Sequence, residues 1–230
     1  MSIRLAVERV EEGILNSCNS AGRKRDEVRL MGVSKYQDAA KIAEAWDAGL
    51  TLFGESRVQE AVEKYPALRQ DRPALELHMI GTLQRNKTKG ALSLFDCIES
   101  VDRNELIARL GYQSQARPSP VSLLLELNGG EATKSGYQDL DSLARATELV
   151  LQYPNLKLRG LMTIAPATPD TQRIRSVFRS LAVAREYLKA RFGEADFACL
   201  SMGMSGDYQI AIQEGSTLVR IGTAIFGGPA

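Results

Sequence analysis

The feature that most constrains the fold is a regular alternation of short apolar runs and amphipathic helical patterns. The apolar runs have the length expected of buried strands. They lie at Val28–Lys35, Thr51–Ser56, Leu77–Gly81, Cys97–Val101, Val121–Asn128, Leu158–Ile164, Phe197–Met202 and Thr217–Ile221. Helical spacing of apolar residues predicts the elements between them, at Asp38–Ala48, Val58–Arg69, Lys87–Leu94, Arg103–Gln115, Leu140–Tyr153, Thr171–Phe192 and Gly206–Glu214. Such alternation favours a parallel sheet in an α/β protein.

Eight strand–helix units fill the 230 residues with little to spare, which favours a closed (β/α)8 barrel, the TIM barrel. An amphipathic pattern over residues 3–18 predicts an extra N-terminal helix. No linker rich in Pro, Gly or Ser marks a boundary, so residues 1–230 are predicted to form a single domain. The alternative is an open doubly wound sheet. That fold usually carries a Gly-x-Gly-x-x-Gly turn after its first strand, where this chain reads Val33-Ser-Lys-Tyr-Gln37.

Three helix starts carry side chains suited to capping. Asp102, with Glu105 three residues later, has the spacing of a capping box, and Asp170 precedes the longest helical pattern. Ser205 is expected to cap the short helix that follows it.

Composition excludes several classes of function. The 29 basic and 28 acidic residues give a net charge of +1, so no overall field recruits nucleic acid or an anionic membrane. The three cysteines are far apart in sequence and His78 is the only histidine, which argues against a disulfide framework or a metal site and for a reducing compartment. No apolar run approaches the roughly 20 residues of a membrane span, and the first residues lack a signal-peptide core. A cytoplasmic location is therefore expected.

Two Gly- and hydroxyl-rich segments follow the last two predicted strands. One comprises Ser201, Met202, Gly203 and Ser205, and the other begins with Gly222-Thr223. In (β/α)8 barrels the active site lies at the carboxyl ends of the strands, and phosphate is often held after the seventh and eighth. Each segment alone resembles an ordinary turn, but the two together predict a phosphate site.

Lys35 ends the first predicted strand, on the same alternating face as Met31 and Val33. Burial in a dry barrel mouth would favour the neutral amine, which attacks aldehydes to form a Schiff base. The alternative is a surface lysine. A phosphate site and a reactive amine in one barrel mouth indicate a phosphorylated aldehyde, of which pyridoxal 5′-phosphate (PLP) is the obvious candidate.

Arg220 interrupts the last strand, Thr217–Ile221, on the face predicted to point into the barrel with Leu218. A buried guanidinium needs a partner. One interpretation is a structural ion pair with Glu55 or Glu126. The other is a hydrogen bond to the pyridine nitrogen of the cofactor, which would remain unprotonated because arginine does not release its proton.

Several motifs resemble those of the pyridoxal phosphate homeostasis proteins (YggS/PROSC type) in order and spacing over nearly the whole chain. They are Val33–Lys35, Phe53–Glu60, His78–Lys87, Lys134–Gly136, Gly160–Met162, Leu200–Ser205 and Arg220–Gly227. The family is similar to the N-terminal barrel of alanine racemase. The resemblance implies a monomer that binds PLP through a lysine without established turnover. It also implies a role in PLP supply and in amino- and keto-acid balance, with apo-PLP enzymes as recipients of the cofactor.

The resemblance also assigns residues. Lys35 corresponds to the Schiff-base lysine, Arg220 to the pyridine-nitrogen partner, and Ser201, Gly222 and Thr223 to phosphate contacts. His78 and Asn86 are expected in or near the pocket, although a core histidine bonded to a backbone carbonyl explains His78 equally well. Ser56 stands where the family commonly has asparagine and offers a shorter hydroxyl near the cofactor ring.

Two enzymatic alternatives share the lysine and the phosphate site. An amino-acid racemase needs a second proton-transfer group on the opposite face of the cofactor, which the racemases supply as a tyrosine from an additional β domain. The chain ends three residues after Gly227, and efficient racemisation is therefore not expected. A Schiff-base aldolase acting on a phosphosugar would share the lysine but not the motifs.

Overall fold

The chain forms a closed barrel of eight parallel strands, in which each strand pairs with its neighbours in sequence and the first pairs with the last. The computed structural model describes residues 2–115, 117–131, 133–193 and 195–228. The strands are β1 Arg29–Val33, β2 Leu52–Glu55, β3 Glu76–Met79, β4 Cys97–Val101, β5 Val121–Glu126, β6 Leu156–Met162, β7 Cys199–Ser201 and β8 Leu218–Ile221. The predicted (β/α)8 barrel is confirmed, and the open sheet is excluded because β1 and β8 are hydrogen-bonded.

Helices surround the barrel in the expected alternation. They are α1 Ile3–Ser20, α2 Ala39–Asp47, α3 Val58–Asp71, α4 Thr88–Leu94, α5 Asn104–Gln113, α6 Leu140–Leu151, α7 Thr171–Arg191, α8 Tyr208–Gln213 and α9 Thr223–Phe226. Short 3-10 turns occupy Arg25–Glu27 and Arg85–Lys87. The extra helix α1 buries Val7, Val10 and Ile14 against α2, α8 and α9. None of the helices in the described ranges is both long and apolar enough to cross a membrane.

Side chains alternate between two separate cores. Val219 and Ile221 of β8 point outward into the large core between strands and helices, while Leu218 packs inside the barrel with Met31 and Leu52. This alternation was predicted for β8 and is confirmed, and it directs Arg220 into the barrel, where it is 4% exposed.

Of the three predicted helix caps, only the one at Asp170 is confirmed. Asp170 caps α7 as expected, because its carboxylate accepts from the backbone of Gln172 and Arg173. The capping box at Asp102 is wrong: its carboxylate pairs with the side chain of Arg103, which is itself the N-cap residue. Ser205 does not cap α8 either. Its hydroxyl accepts from the amide of Ala224, in the unpredicted helix α9.

Candidate functional site

A cavity of about 820 Å³ opens at the carboxyl ends of the strands, where barrels of this kind carry their active sites. Every barrel strand except β4 contributes to its wall, either directly or through the loop that follows it. The lining residues are Val33, Lys35, Ser56, Ile80, Gly81, Thr82, Glu126, Gly129, Thr133, Lys134, Ser135, Ile164, Met204, Ser205, Gly206, Arg220, Gly222 and Thr223.

Lys35 reaches this cavity from the turn after β1, two residues beyond the end of the strand. The expectation that it lies buried in a dry mouth is wrong, because its side chain is exposed at the rim. Its backbone is nevertheless tightly held. The following residue, Tyr36, has a φ of +64°, a left-handed conformation that costs a residue other than glycine roughly 1–2 kcal/mol. Such strain persists only where neighbouring contacts fix the chain.

Those contacts come from Lys64 of α3. Its ammonium donates to the carbonyls of Ser34 (3.2 Å) and Gln37 (3.1 Å), on either side of Lys35. It also lies 2.5 Å from Oε1 of Glu55, which is fully buried. Burial raises the pKa of Glu55 even though Lys64 opposes the shift. The turn that carries Lys35 is therefore fixed by a buried ion pair.

The two hydroxyl- and glycine-rich loops meet in the wall of the cavity, and Gly222 lies next to Val33 of β1. Ser205 and Gly206 line it from the loop after β7, and Gly222 and Thr223 line it from the end of β8. Gly203 shapes the first loop: its φ is +101°, and a Cβ there would lie 2.7 Å from the Cβ of Ala211. The hydroxyls and backbone of these loops offer the donors that an anionic group requires.

Arg220 occupies the floor of the cavity. Its Nη1 donates to the hydroxyl of Ser201 at 2.6 Å, and its Nη2 donates to the carbonyl of Thr163 at 2.8 Å. The nearest carboxylate in ion-pair range is that of Glu99, 4.0 Å away, so the expected ion pair with Glu55 or Glu126 is not formed. Glu55 is instead bound by Lys64.

Glu126 shares the cavity with Arg220 and is 6% exposed. The hydroxyl of Ser135 donates to it over 3.4 Å. Burial, reinforced by the charge of Asp102, raises the pKa of Glu126 to about 7.

The sequence-derived site residues fall into two groups. Six line the cavity: Lys35, Ser56, Ser205, Arg220, Gly222 and Thr223. Five do not: His78, Asn86, Ser201, Met202 and Gly203. Met202 is buried in the outer core and Asn86 is exposed in the 3-10 turn.

His78 was expected in or near the pocket, or as a core residue bonded to a backbone carbonyl. It lies inside the barrel between two carboxylates, those of Glu76 and Glu99. Ser201 is fully buried, and its hydroxyl is engaged by Glu99 and Arg220. Glu99 was not singled out from the sequence, although a charged residue in the middle of an apolar strand is a signal, because buried charges require partners. Lys134 also lines the cavity, although the sequence placed it only in the motif Lys134–Gly136 and gave it no role.

Similarity to known proteins extends over the whole barrel. The family profile for the N-terminal domain of alanine racemase matches residues 12–229. A pyridoxal phosphate homeostasis protein of Vibrio cholerae is 42% identical over 229 residues, which cover 98% of this chain and 96% of the relative. The protein of the same name from Escherichia coli K12 is 43% identical over 224 residues, which cover 95% of this chain and 93% of the relative.

Solved structures agree with this similarity. A protein of unknown function from Bifidobacterium adolescentis superposes with a TM-score of 0.92 at 36% identity, covering 97% of this chain and 94% of that one. PipY of Synechococcus elongatus, solved with PLP bound, gives a TM-score of 0.81 at 36% identity, covering 87% of this chain and 93% of that one. Alanine racemase of Clostridium difficile, at 14% identity and a TM-score of 0.70, covers 95% of this chain and 56% of that one and shares the fold. The chain therefore belongs to the family of pyridoxal phosphate homeostasis proteins.

Proposed function

We propose that this protein binds PLP in the cavity at the barrel mouth, holds it as a Schiff base on Lys35, and serves PLP supply rather than efficient catalysis. One observation carries the proposal: an amine, a guanidinium and a group of hydroxyl- and glycine-bearing turns line the same cavity. Its volume of about 820 Å³ lies within the roughly 300–1,000 Å³ range of small-molecule sites. PLP supplies an aldehyde for the amine and a phosphate for the turns.

Each group of the chain has a proposed task. Lys35 supplies the amine, and Ser205, Gly222 and Thr223 supply donors to the phosphate. Ser56, just after β2, would contact the cofactor ring from its place in the cavity wall. These assignments agree with the family resemblance and with the lining of the cavity.

The position of Arg220 argues for storage over turnover. Both of its terminal nitrogens are held by Ser201 and Thr163, so the guanidinium is fixed at the cavity floor. Arginine does not release its proton, so a pyridine nitrogen that accepts from it stays unprotonated, and the ring then withdraws electrons weakly. Carbanion chemistry, which racemisation requires, is correspondingly suppressed.

The exposed position of Lys35 supports transfer of the cofactor to apo-PLP enzymes, because an incoming amine can reach the rim without rearrangement of the barrel. We further propose that the protein acts as a cytoplasmic monomer and contributes to amino- and keto-acid balance through this supply.

Titration of the purified protein with PLP, followed by visible absorption, tests binding. We expect the wild type to form a coloured Schiff base and Lys35→Ala to form none, whereas Lys89→Ala, at an exposed position of α4, should match the wild type. Loaded protein mixed with an apo-PLP enzyme should restore its activity, and L-alanine should not be racemised at an enzyme-like rate. Unchanged PLP binding by Lys35→Ala would refute the Schiff-base assignment, and rapid formation of D-alanine would refute the storage role.

A further inference from the structure

A continuous chain of polar side chains runs through the barrel from its amino-terminal mouth to the cofactor cavity. Oε1 of Glu76 lies 2.8 Å from Nε2 of His78, and Nδ1 of His78 lies 2.6 Å from Oε1 of Glu99. The other oxygen of Glu99 lies 2.5 Å from the hydroxyl of Ser201, which lies 2.6 Å from Nη1 of Arg220. The five residues come from β3, β4, β7 and β8, so the chain crosses the barrel interior.

The inner members of this chain are almost completely removed from water. Glu99 and Ser201 are fully buried, Arg220 is 4% exposed and His78 is 6% exposed. Buried polar groups are costly unless each one is satisfied, and a connected network in a low-dielectric interior fixes the orientation of its members.

The chemistry of the donors fixes the protons along the chain. Arginine only donates, so the oxygen of Ser201 accepts from Arg220 and the single hydroxyl proton of Ser201 must point to Glu99. Glu99 therefore accepts as a carboxylate. The ring of His78 lies between Glu76 and Glu99. The pKa values of both carboxyl groups are lowered by their hydrogen bonds to His78 and by neighbouring cations, so both groups are ionised and both ring nitrogens carry protons. The order of charges is then negative at Glu76, positive at His78, negative at Glu99 and positive at Arg220.

Electrostatics agree with this assignment. Burial alone would lower the pKa of His78, but its hydrogen bonds to Glu76 and Glu99 raise the pKa to about 9. Burial alone would raise the pKa of Glu99, yet His78, Arg220 and Ser201 bring it below its ordinary value.

We propose that His78 and Glu99 are positioning residues, which orient the hydroxyl of Ser201 and thereby hold the guanidinium of Arg220 with its remaining N–H groups toward the cavity. The carbonyl of Thr163 fixes the second terminal nitrogen, so both restraints on Arg220 come from the barrel wall. That Arg220 then donates to a pyridine nitrogen of the cofactor rests on the proposed function. The alternative is a purely structural ion cluster, which would stabilise the barrel without affecting how Arg220 is held in the cavity. The two cases can be distinguished by measurement.

The test combines Glu99→Gln, which keeps the shape but removes the charge, with His78→Asn, which keeps a donor near Nδ1 but removes the positive charge and the link to Glu76. Glu214→Gln is the matched control. It also removes a carboxylate held by arginines, Arg175 and Arg179, but it does so between α7 and α8, outside the cavity.

The first measurement is the hydrogen-exchange rate of the Arg220 Nη1–H protons by NMR in the cofactor-free protein, with the signals assigned by their loss in Arg220→Lys. Because Glu99 orients the hydroxyl of Ser201 that accepts from Arg220, loss of its charge is expected to weaken this hydrogen bond. The exchange rate should then increase about tenfold in Glu99→Gln and to a smaller extent in His78→Asn, with no change in Glu214→Gln. An unchanged rate in a folded Glu99→Gln would overturn the positioning role. Because this measurement needs no PLP, failure of the wild type to bind PLP would refute the proposed function alone.

The second measurement is the affinity for PLP in a double-mutant cycle. Glu99→Gln should weaken binding about tenfold in the wild-type background and leave it nearly unchanged in the Arg220→Lys background, because its effect passes through Arg220. Equal losses in both backgrounds would contradict the inference and indicate a general structural effect.

Discussion

The ammonium of Lys64 lies 2.5 Å from a carboxylate oxygen of Glu55 and, from that position, binds the backbone on both sides of Lys35. The amine of Lys35 sits at the exposed rim of the cavity, while the backbone on either side of it is anchored by Lys64. Under the proposed function, this arrangement combines access for an incoming amine with a fixed position of the lysine backbone.

Substitution of Lys64 by methionine should destabilise the fold. The change leaves the buried carboxylate of Glu55 without its cation, and removal of one partner of a buried pair typically costs about 3 kcal/mol or more. Urea unfolding measures this loss. The double variant Lys64→Met/Glu55→Gln should lose clearly less than the sum of the two single variants, because no buried charge remains unpaired; additive losses would disprove the coupling.

A comparison of PLP with pyridoxal tests the contacts to the phosphate separately from those to the aldehyde. Thr223→Val removes a hydroxyl from the cavity wall and should weaken PLP binding about tenfold, as expected for a hydrogen bond to a charged group. Binding of pyridoxal, which lacks the phosphate, should be unchanged. Thr217→Val, at the opposite mouth of the barrel, is the control. An equal loss for both ligands would refute the phosphate assignment of Thr223.

Glu126 should make the cofactor-free protein less stable as the pH rises. Its pKa is raised from 4.5 to about 7, so in that interval the folded state holds a proton that the unfolded state has lost, and the free energy of unfolding falls. The neutral Glu126→Gln lacks this dependence. The free energy of unfolding of Glu126→Gln, relative to that of the wild type, should therefore increase by about 2.5 kcal/mol between about pH 5 and about pH 8. If denaturant unfolding showed that the free energies of unfolding of the two proteins change with pH in parallel, the raised pKa of Glu126 would be contradicted.

The barrel was predictable because its signals are local. Apolar runs and helical spacing identified all eight strands and the helices from α1 to α8, and the alternation within Thr217–Ile221 identified the inward face of Arg220. Strand ends were less accurate. The first predicted run extended to Lys35, whereas β1 ends at Val33, because the buried Ser34 and the strained Tyr36 already belong to the anchored turn.

The partners of the buried charges were not predictable, because they depend on how strands and helices that are distant in sequence are brought together. One of the two interpretations of Arg220 was an ion pair with Glu55 or Glu126, but the barrel places Arg220 near Glu99, and Glu55 pairs with Lys64. The same three-dimensional arrangement draws His78 between Glu76 and Glu99 instead of to the cavity. Sequence pattern indicates which side chains enter the barrel, and only closure of the barrel determines which of them meet.

Borohydride reduction of the PLP-loaded protein, followed by peptide mass spectrometry, tests the central claim most directly. The account predicts one pyridoxyl group per chain, on the peptide that contains Lys35, and its loss when inorganic phosphate or Thr223→Val weakens the phosphate contacts. A label confined to Lys134, the other lysine that lines the cavity, or no label on any lysine, would contradict it.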